Sequence, residues 1–196
     1  MEKIAILADS GCQIPVDSRE NEGIFIAPLT ITMEGKSYLD DIEIHSIDVF
    51  KRMEKDDIMV MTSQPSTGSL QEAVQKIKDQ GYSHVIGLPI ATGLSSTMNG
   101  MKLACDMLEM PVTLVDTKGT ASNQKYLVEV AAKLAREGKS PEEIKDILEK
   151  LVEDSATIIM VPNLEHLKKG GRITPAVAAL AGLLKIVPIM KLNYSL

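Results

Sequence analysis

Hydroxyl and carboxyl side chains recur where the short apolar runs of this sequence end. The stretch VMTSQPSTGSL, residues 60–70, passes from apolar residues through hydroxyl and amide side chains into a helix-like pattern. Neutral hydroxyls beside helix N-termini, which carry unpaired N–H groups, suit a weakly charged anion such as a carboxylate. The alternative is that these residues only cap helices, as Ser and Thr commonly do. Four sets share this position: Asp9-Ser10, Thr62-Ser63, Thr92 with Ser95, and Asp116-Thr117.

The apolar runs themselves predict the strands that position these side chains. Nearly continuous apolar runs are typical of strands buried on both faces of a parallel sheet. Amphipathic stretches between them predict helices, with Ser69 and Glu72 in capping-box spacing, Ser140 as an N-cap, and Gly81 and Gly138 as stops. We therefore expect an α/β fold, a parallel Rossmann-like sheet with flanking helices. The predicted strands are 3–9, 58–63, 84–90 and 112–117, and the predicted helices are 69–80, 96–109, 123–137 and 141–153.

Two segments depart from this alternation. Residues 24–44 alternate in polarity around Glu34-Gly35, which predicts a hairpin or an extended excursion. A new strand and helix begin at about residue 156. We therefore divide the chain into an N-terminal α/β domain, 1–155, and the start of a second α/β domain, 156–196.

The longest apolar run, residues 173–190, has the length of a candidate membrane span. Lys185 and two prolines interrupt it. A buried helix followed by a strand accounts for this pattern better than a span does.

The composition narrows the class of partner. A net charge of -6 leaves no basic stripe to neutralise phosphates, and aromatic residues make up only 3% with no Trp, so we do not expect a nucleic-acid binder. Two cysteines cannot build a disulfide framework, and MEKIAILADS enters a strand directly, without the pattern of a signal peptide. These features predict a cytoplasmic protein. The two Cys and three His are scattered, so we predict no metal and no cofactor.

Three segments together resemble the DegV family: TSQPS at 62–66, ATGLSST at 91–97 and NLEHLKKGGRIT at 163–174. The resemblance runs nearly the whole length, with ADS near the start and LVDT at 114–117 as further matches. The fatty-acid-binding subunit of bacterial fatty acid kinase, FakB, belongs to this family. The resemblance implies a long-chain fatty acid as ligand, with its acyl chain in an apolar tunnel between two domains. It also implies that a separate kinase subunit phosphorylates the bound acid, so that this chain presents the substrate and is not itself an enzyme.

The resemblance also assigns residues to the site. It implies that Thr62 and Ser95 bind the fatty-acid carboxylate. Supporting candidates at the same sheet edge are Ser63, Ser96, Thr92, Asp9, Ser10 and Thr117. A basic corner formed by Lys168, Lys169 and Arg172 is a candidate docking surface for the kinase. The structural alternative is that the two lysines only occupy the last turn of a helix that the following glycines end.

The sequence departs from the family pattern in three places. Asn123, Gln124 and Lys125 stand where small or apolar residues are common, which makes the tunnel shorter or more polar if they line it and changes nothing if they face solvent. Ser96 replaces a usual Gly. Family members continue beyond residue 196, and the histidine that commonly contacts the carboxylate lies in that part. The role is therefore assigned to none of His45, His84 and His166, and an incomplete second domain would favour self-association.

A different class of function stays open from the residues alone. Asp9, Ser10 and Asp116 at the sheet edge would serve a small-molecule transferase or hydrolase. Cys12, just after the first strand, is either a reactive thiol near helix N–H groups or a small buried residue. A fatty acid that co-purifies with the protein would separate the lipid-binding class from the enzyme class.

Overall fold

A computed structural model describes residues 3–56, 58–161, 164–174, 187 and 189–192. The strands of this part are β1 Ile4–Asp9, β2 Ile24–Ala27, β3 Thr30–Met33, β4 Lys36–Leu39, β5 Val60–Ser63, β6 His84–Leu88, β7 Val112–Leu114, β8 Ile158–Met160 and β9 Ile189–Lys191. Its α-helices are α1 Ser46–Asp56, α2 Thr67–Asp79, α3 Thr97–Met107, α4 Ala121–Arg136, α5 Pro141–Glu153 and α6 Glu165–Lys169. Short 3-10 turns follow β1 at Ser10–Cys12 and precede β2 at Glu20–Glu22.

A parallel sheet with the strand order β2-β1-β6-β7 forms the centre of the fold. Every residue of β1 is buried, because successive side chains enter two different cores. Ile6 packs into the core that contains Leu127 of α4 and Ile144 of α5. Leu7 packs into the core that contains Leu70 of α2 and Met101 of α3. The predicted α/β fold with helices on both faces of a parallel sheet is confirmed.

The strand predicted at 58–63 lies in a different sheet. β5 pairs antiparallel with β3 in a sheet of order β4-β3-β5, and β2 occupies the place beside β1. The prediction was wrong because a short apolar run does not distinguish a buried parallel strand from a strand of another kind. β5 is in fact largely exposed from Met61 to Ser63. The hairpin predicted around Glu34-Gly35 is confirmed, since both residues have positive φ angles, 50° and 76°, between β3 and β4.

The four predicted helices are present, and two of them, α2 and α4, begin two residues earlier than predicted. α2 begins at Thr67 and its cap is Ser66, whose Oγ accepts a hydrogen bond from the Ser69 N–H at 3.0 Å, so the predicted cap at Ser69 was wrong. The cap predicted at Ser140 is confirmed as a full capping box with Glu143. The sequence analysis missed α1 altogether.

The C-terminal part contains β8 paired antiparallel with β9, and α6 between them in the chain. β9 falls within the strand expected at the end of the run 173–190, whereas the helix expected there lies mostly outside the described residues. The domain boundary at about residue 155 stays a prediction. Within the part of the chain that the structure describes, no helix is long and apolar enough to cross a membrane.

The capping box of α5 provides a test of this local structure. Ser140→Ala removes the acceptor of the Glu143 N–H and should lower the free energy of unfolding by about 1 kcal/mol. Ser96→Ala is the matched control, because Ser96 stands at the N-cap of α3 without a side-chain capping bond. Urea unfolding of both variants measures the difference, and equal losses would contradict this account of the α5 cap.

Candidate functional site

A cavity of about 250 Å³ lies where β5, the loop after β6 and α6 meet. Its polar lining consists of Thr62, Ser63, Ser95, His166 and Arg172. Its apolar lining consists of Leu29, Val60, Met61, Ile90, Leu94 and Leu167. The structure thus brings together Thr62 and Ser95, the two residues predicted to hold a carboxylate, with Ser63 and Arg172. His166 is an addition that the sequence analysis did not assign.

A buried neighbour orients the hydroxyl of Ser95. Ser95 Oγ lies 2.8 Å from Thr97 Oγ1 and accepts a hydrogen bond from the Thr97 N–H at 3.3 Å. Thr97 begins α3 and is fully buried. If the Thr97 hydroxyl is also a donor to Ser95, the Ser95 O–H is left to donate to a ligand. An anionic acceptor in the cavity would favour that arrangement.

The Arg172 guanidinium ties three sides of the cavity together. Its Nε donates to the Leu94 carbonyl at 3.1 Å, its Nη1 to the Gly170 carbonyl at 2.5 Å, and its Nη2 to the Thr62 carbonyl at 3.4 Å. These carbonyls belong to the loop before α3, the end of α6 and β5. Arg172 therefore holds Thr62 and α6 in place.

The two lysines predicted beside Arg172 are exposed on α6. Lys168 Nζ lies 3.6 Å from Glu165 Oε1 on the same helix. Their position near the end of α6 agrees with the structural alternative. Their role in docking a partner stays a prediction.

Asp9 is buried behind the cavity wall. Its carboxylate accepts hydrogen bonds from the N–H groups of Ile90 at 2.8 Å and Gly11 at 3.0 Å, and from Gln124 Nε2 at 3.1 Å. Burial raises the pKa of the Asp9 carboxyl above its ordinary value of 3.8, although the three hydrogen bonds oppose the shift. Because Ile90 lines the cavity, Asp9 acts on the site through the backbone that it holds.

Ser10 holds the opposite wall in the same way. Its hydroxyl donates to Asp40 Oδ2 at 2.6 Å and accepts from the Leu29 N–H at 3.0 Å. Leu29 lines the cavity. Asp9 and Ser10 are therefore not among the lining side chains, and any support that they give the site is indirect.

The remaining candidates at the sheet edge form their own contacts. Thr117 is fully buried and its hydroxyl donates to the Pro89 carbonyl at 2.7 Å. The Asp116 carboxylate accepts from the hydroxyl of Thr92 and from the Thr92 N–H at 3.2 Å. None of these three residues, nor Ser96, lines the cavity. The carboxylates proposed for an enzyme, Asp9 and Asp116, are thus engaged in structural hydrogen bonds.

The departures from the family pattern at 123–125 do not reach this cavity. Gln124 is fully buried, and its Nε2 donates to the Leu88 carbonyl at 3.0 Å as well as to Asp9. Asn123 Nδ2 donates to Ser155 Oγ at 3.3 Å and Thr157 Oγ1 at 3.2 Å. Neither these two residues nor Lys125 is a lining residue, so they leave the polarity of the cavity unchanged.

A second cavity, of about 90 Å³, adjoins the first. The two share Leu94, Leu167 and Arg172 as wall residues. The rest of the second lining is mainly apolar and includes Ile159, Val161 and Met190 from the β8–β9 region. Mostly apolar walls thus extend from the cavity that contains Thr62 and Ser95 towards β8 and β9.

Comparison with known proteins identifies the family. The sequence profile described as "Uncharacterised protein, DegV family" matches residues 3–195. The chain belongs to the DegV family. A DegV domain-containing protein from Staphylococcus aureus strain N315 is 33% identical over 193 residues, which cover 98% of this chain and 68% of that protein.

Solved structures of DegV proteins share the fold. The structure of "DegV, a fatty acid binding protein from Bacillus subtilis" superposes with a TM-score of 0.85 at 30% identity, covering 98% of this chain and 69% of that one. A DegV family protein from Thermus thermophilus, described as fatty acid binding, superposes with a TM-score of 0.83 at 31% identity. The superposition covers 98% of this chain and 68% of that one. A stearic-acid-binding protein from Eubacterium ventriosum gives 0.84 at 26% identity, covering 100% and 68%.

The two thiols in this DegV chain are both enclosed in the core. Cys12 and Cys105 are fully buried, and burial raises the pKa of Cys12 to about 12 and that of Cys105 to about 11. We expect iodoacetamide at mildly alkaline pH to modify neither thiol in the folded protein and both after unfolding in urea, as measured by intact mass. Rapid modification of folded Cys12 would instead support the reactive-thiol alternative.

The buried Asp9 carboxylate predicts a specific dependence of stability on pH. Asp9→Asn replaces one acceptor oxygen by an NH2 group that faces an N–H donor, so the variant should lose about 1–3 kcal/mol of unfolding free energy. Between about 3.8 and the raised pKa of folded Asp9, the native state binds more protons than the unfolded state. The stability of the wild type relative to Asp9→Asn should therefore fall as pH rises through this window.

Urea unfolding of the wild type and of Asp9→Asn across the acidic range measures this difference, because other carboxyl groups cancel between them. Asp146→Asn, at an exposed position of α5, is the control for the same chemical substitution outside the core. A relative stability of the wild type that rises with pH would contradict the raised pKa of Asp9.

Proposed function

We propose that the chain binds a long-chain fatty acid with its carboxylate at Thr62 and Ser95, and that it presents this carboxylate to a partner kinase for phosphorylation. The observation that carries the proposal is that these two hydroxyl residues, 33 positions apart in sequence, line one cavity whose other walls are largely apolar. Solved DegV structures described as fatty acid binding support the ligand class. The kinase partner rests on the resemblance to FakB.

The apolar walls and the hydroxyls would contribute different amounts to the free energy of binding. Each buried methylene contributes roughly 0.8 kcal/mol, so a long acyl chain supplies on the order of 10 kcal/mol. A hydroxyl hydrogen bond to a carboxylate adds about 1.5–3 kcal/mol. The apolar walls supply most of the affinity for the fatty acid, and the hydroxyls determine which end of the ligand lies at Thr62.

The exposure of the site suits presentation of a substrate. Thr62 and Ser63 are exposed, whereas Ser95 is half-buried and rests on α3. The carboxylate would thus be held on one side and open on the other. The competing proposal of an enzyme that uses Asp9, Ser10 and Asp116 has less support, because Asp9 is fully buried and the Asp116 carboxylate is bonded to Thr92.

Removal of the two hydroxyls tests the head-group site. We expect Thr62→Ala and Ser95→Ala each to weaken palmitate binding by about 10-fold to 100-fold, since each loses one hydrogen bond to a charged group. Ser96→Ala is the matched control, because it removes a neighbouring exposed hydroxyl that does not line the cavity. Calorimetry measures the affinities. Unchanged binding by the Thr62→Ala, Ser95→Ala double variant would contradict the assignment.

Two further measurements separate the ligand from the kinase. Shortening the fatty acid should weaken binding about fourfold per methylene if the tail lies between apolar walls. Incubation of the palmitate complex with a bacterial fatty acid kinase subunit and ATP should yield acyl phosphate by mass spectrometry. Binding of palmitate without any acyl phosphate would overturn only the proposal of presentation to the kinase.

A further inference from the structure

The turn between β6 and α3, residues 91–95, contributes walls to both cavities. Leu94 and Ser95 line the first cavity, and Ala91, Gly93 and Leu94 line the second. The N–H groups of Leu94 and Ser95 both donate to the Ala91 carbonyl, at 2.9 and 3.2 Å, and so close the turn. The position of the Ser95 hydroxyl therefore depends on what holds this β6–α3 turn in place.

Hydrogen bonds from other segments hold the two ends of the β6–α3 turn. At its start, the Ala91 N–H donates to the Gly119 carbonyl at 2.9 Å. Near its end, the Leu94 carbonyl accepts from Arg172 Nε at 3.1 Å. Thr92 lies between these two points and is exposed. Because exposed loop segments with little packing open locally at low cost in free energy, the middle of the turn needs a hydrogen-bond partner of its own.

The carboxylate of Asp116, which follows β7, is that partner. Its Oδ1 accepts from the Thr92 N–H at 3.2 Å, and its Oδ2 accepts from the Thr92 hydroxyl. Hydrogen bonds to an ionised carboxylate are stronger than those between neutral groups, and a contact at two points also fixes the direction of the bonded residue. Oδ1 accepts from the Lys118 N–H as well, at 3.0 Å, which orients the carboxylate on its own loop.

The loop that bears Asp116 is itself fixed against the end of β6. Thr117 is fully buried, and its hydroxyl donates to the Pro89 carbonyl at 2.7 Å. The Asp116 side chain is only half-buried, so its removal breaks the contact with Thr92 without opening a cavity in the core. Asp116 is therefore a position at which the support of the β6–α3 turn can be tested apart from the fold.

We propose that Asp116 is a positioning residue of the ligand site: its carboxylate holds Thr92 and, through the β6–α3 turn, holds Ser95 where it binds the ligand. The proposal rests on the proposed function, because Ser95 has this role only if a fatty-acid carboxylate binds there. Asp116 lines neither cavity, so it acts through the turn and does not touch the ligand.

Hydrogen exchange of the ligand-free protein tests the positioning. In Asp116→Ala, the N–H groups of Leu94 and Ser95 should exchange at least about 10-fold faster than in the wild type, because the turn that they close opens more often. In Asp116→Asn they should exchange within about threefold of the wild type, since the amide oxygen still accepts from both N–H groups and the NH2 group can donate to the Thr92 hydroxyl oxygen.

Glu143→Ala is the matched control for this measurement. It removes a carboxylate that accepts from a backbone N–H, that of Ser140, in the capping box of α5. The N–H groups of Leu94 and Ser95 should exchange in this variant as they do in the wild type. Unchanged exchange of these two groups in Asp116→Ala would overturn the proposal.

A double-mutant cycle with palmitate tests the consequence for the ligand. Asp116→Ala should weaken palmitate binding by about 10-fold in the wild type but by less than about threefold in Ser95→Ala, because its effect passes through Ser95. Asp116→Asn should bind within about threefold of the wild type. Calorimetry measures the four affinities of the cycle and that of Asp116→Asn. An equal loss in both backgrounds would overturn the proposal, since a general structural role does not depend on Ser95.

The same data distinguish a failure of this proposal from a failure of the proposed function. Palmitate binding that depends on Ser95 but not on Asp116 would overturn the proposal for Asp116 alone. Palmitate binding that Ser95→Ala leaves unchanged would overturn the head-group assignment, and with it the role of Asp116. A wild-type protein that does not bind palmitate would overturn both proposals.

Discussion

The buried carboxylate of Asp9 is the interaction on which the site depends most. It ends the central strand β1 and accepts hydrogen bonds from the backbone of the same loop, from the end of β6 and from α4. A Cβ on Gly11 would lie 2.8 Å from Asp9 Oδ1, so the loop approaches the carboxylate this closely because the residue is glycine. An ionised carboxyl group is expensive to bury unless donors surround it. Three elements must therefore converge at this point, and Ile90 at the cavity wall is one of the groups that they fix.

Polar side chains also fix backbone segments on the other sides of the cavity. Three of the five N–H groups of the Arg172 guanidinium donate to backbone carbonyls of three segments, which its planar fork can reach at once. The Ser10 hydroxyl likewise donates to the Asp40 carboxylate and accepts from the Leu29 N–H. Asp9, Ser10 and Arg172 thus position the backbone around the cavity that Thr62 and Ser95 line.

The parallel sheet was predictable because β1, β6 and β7 all show the same pattern, a continuous apolar run between helices, which is typical of strands buried on both faces. The same rule failed for β5, since only the antiparallel partner β3 decides which sheet that run joins. Thr62 and Ser95 came from the resemblance to the DegV family. Periodicity alone left every strand-end hydroxyl equivalent, and the structure separates them by burial, with Thr117 enclosed and Thr62 exposed.

His166 shows a different limit of the sequence. It stands in a five-residue helix next to two lysines and a glycine pair, where nothing in the spacing indicates that it lines a cavity. A hydrophobic or polar pattern describes the face of a long helix, but α6 is too short to show one. The signal is tertiary, because residues of α6 and of β5 line one cavity and Arg172, which follows α6, donates to the Thr62 carbonyl. No local pattern encodes that contact between residues 110 apart in the chain.

Under the proposed function, one site has both to retain a ligand and to leave it reactive. Retention comes from apolar area, which acts at any point along a chain of methylenes and does not need the head group. Orientation needs only a few donors, and neutral donors leave a carboxylate with more of its charge than an ion pair with arginine would. Thr62 is exposed, whereas Ser95 is half-buried, so the two hydroxyls differ in their access to solvent. Under the proposed function, the exposed side of the site is the side from which a partner would reach the carboxylate.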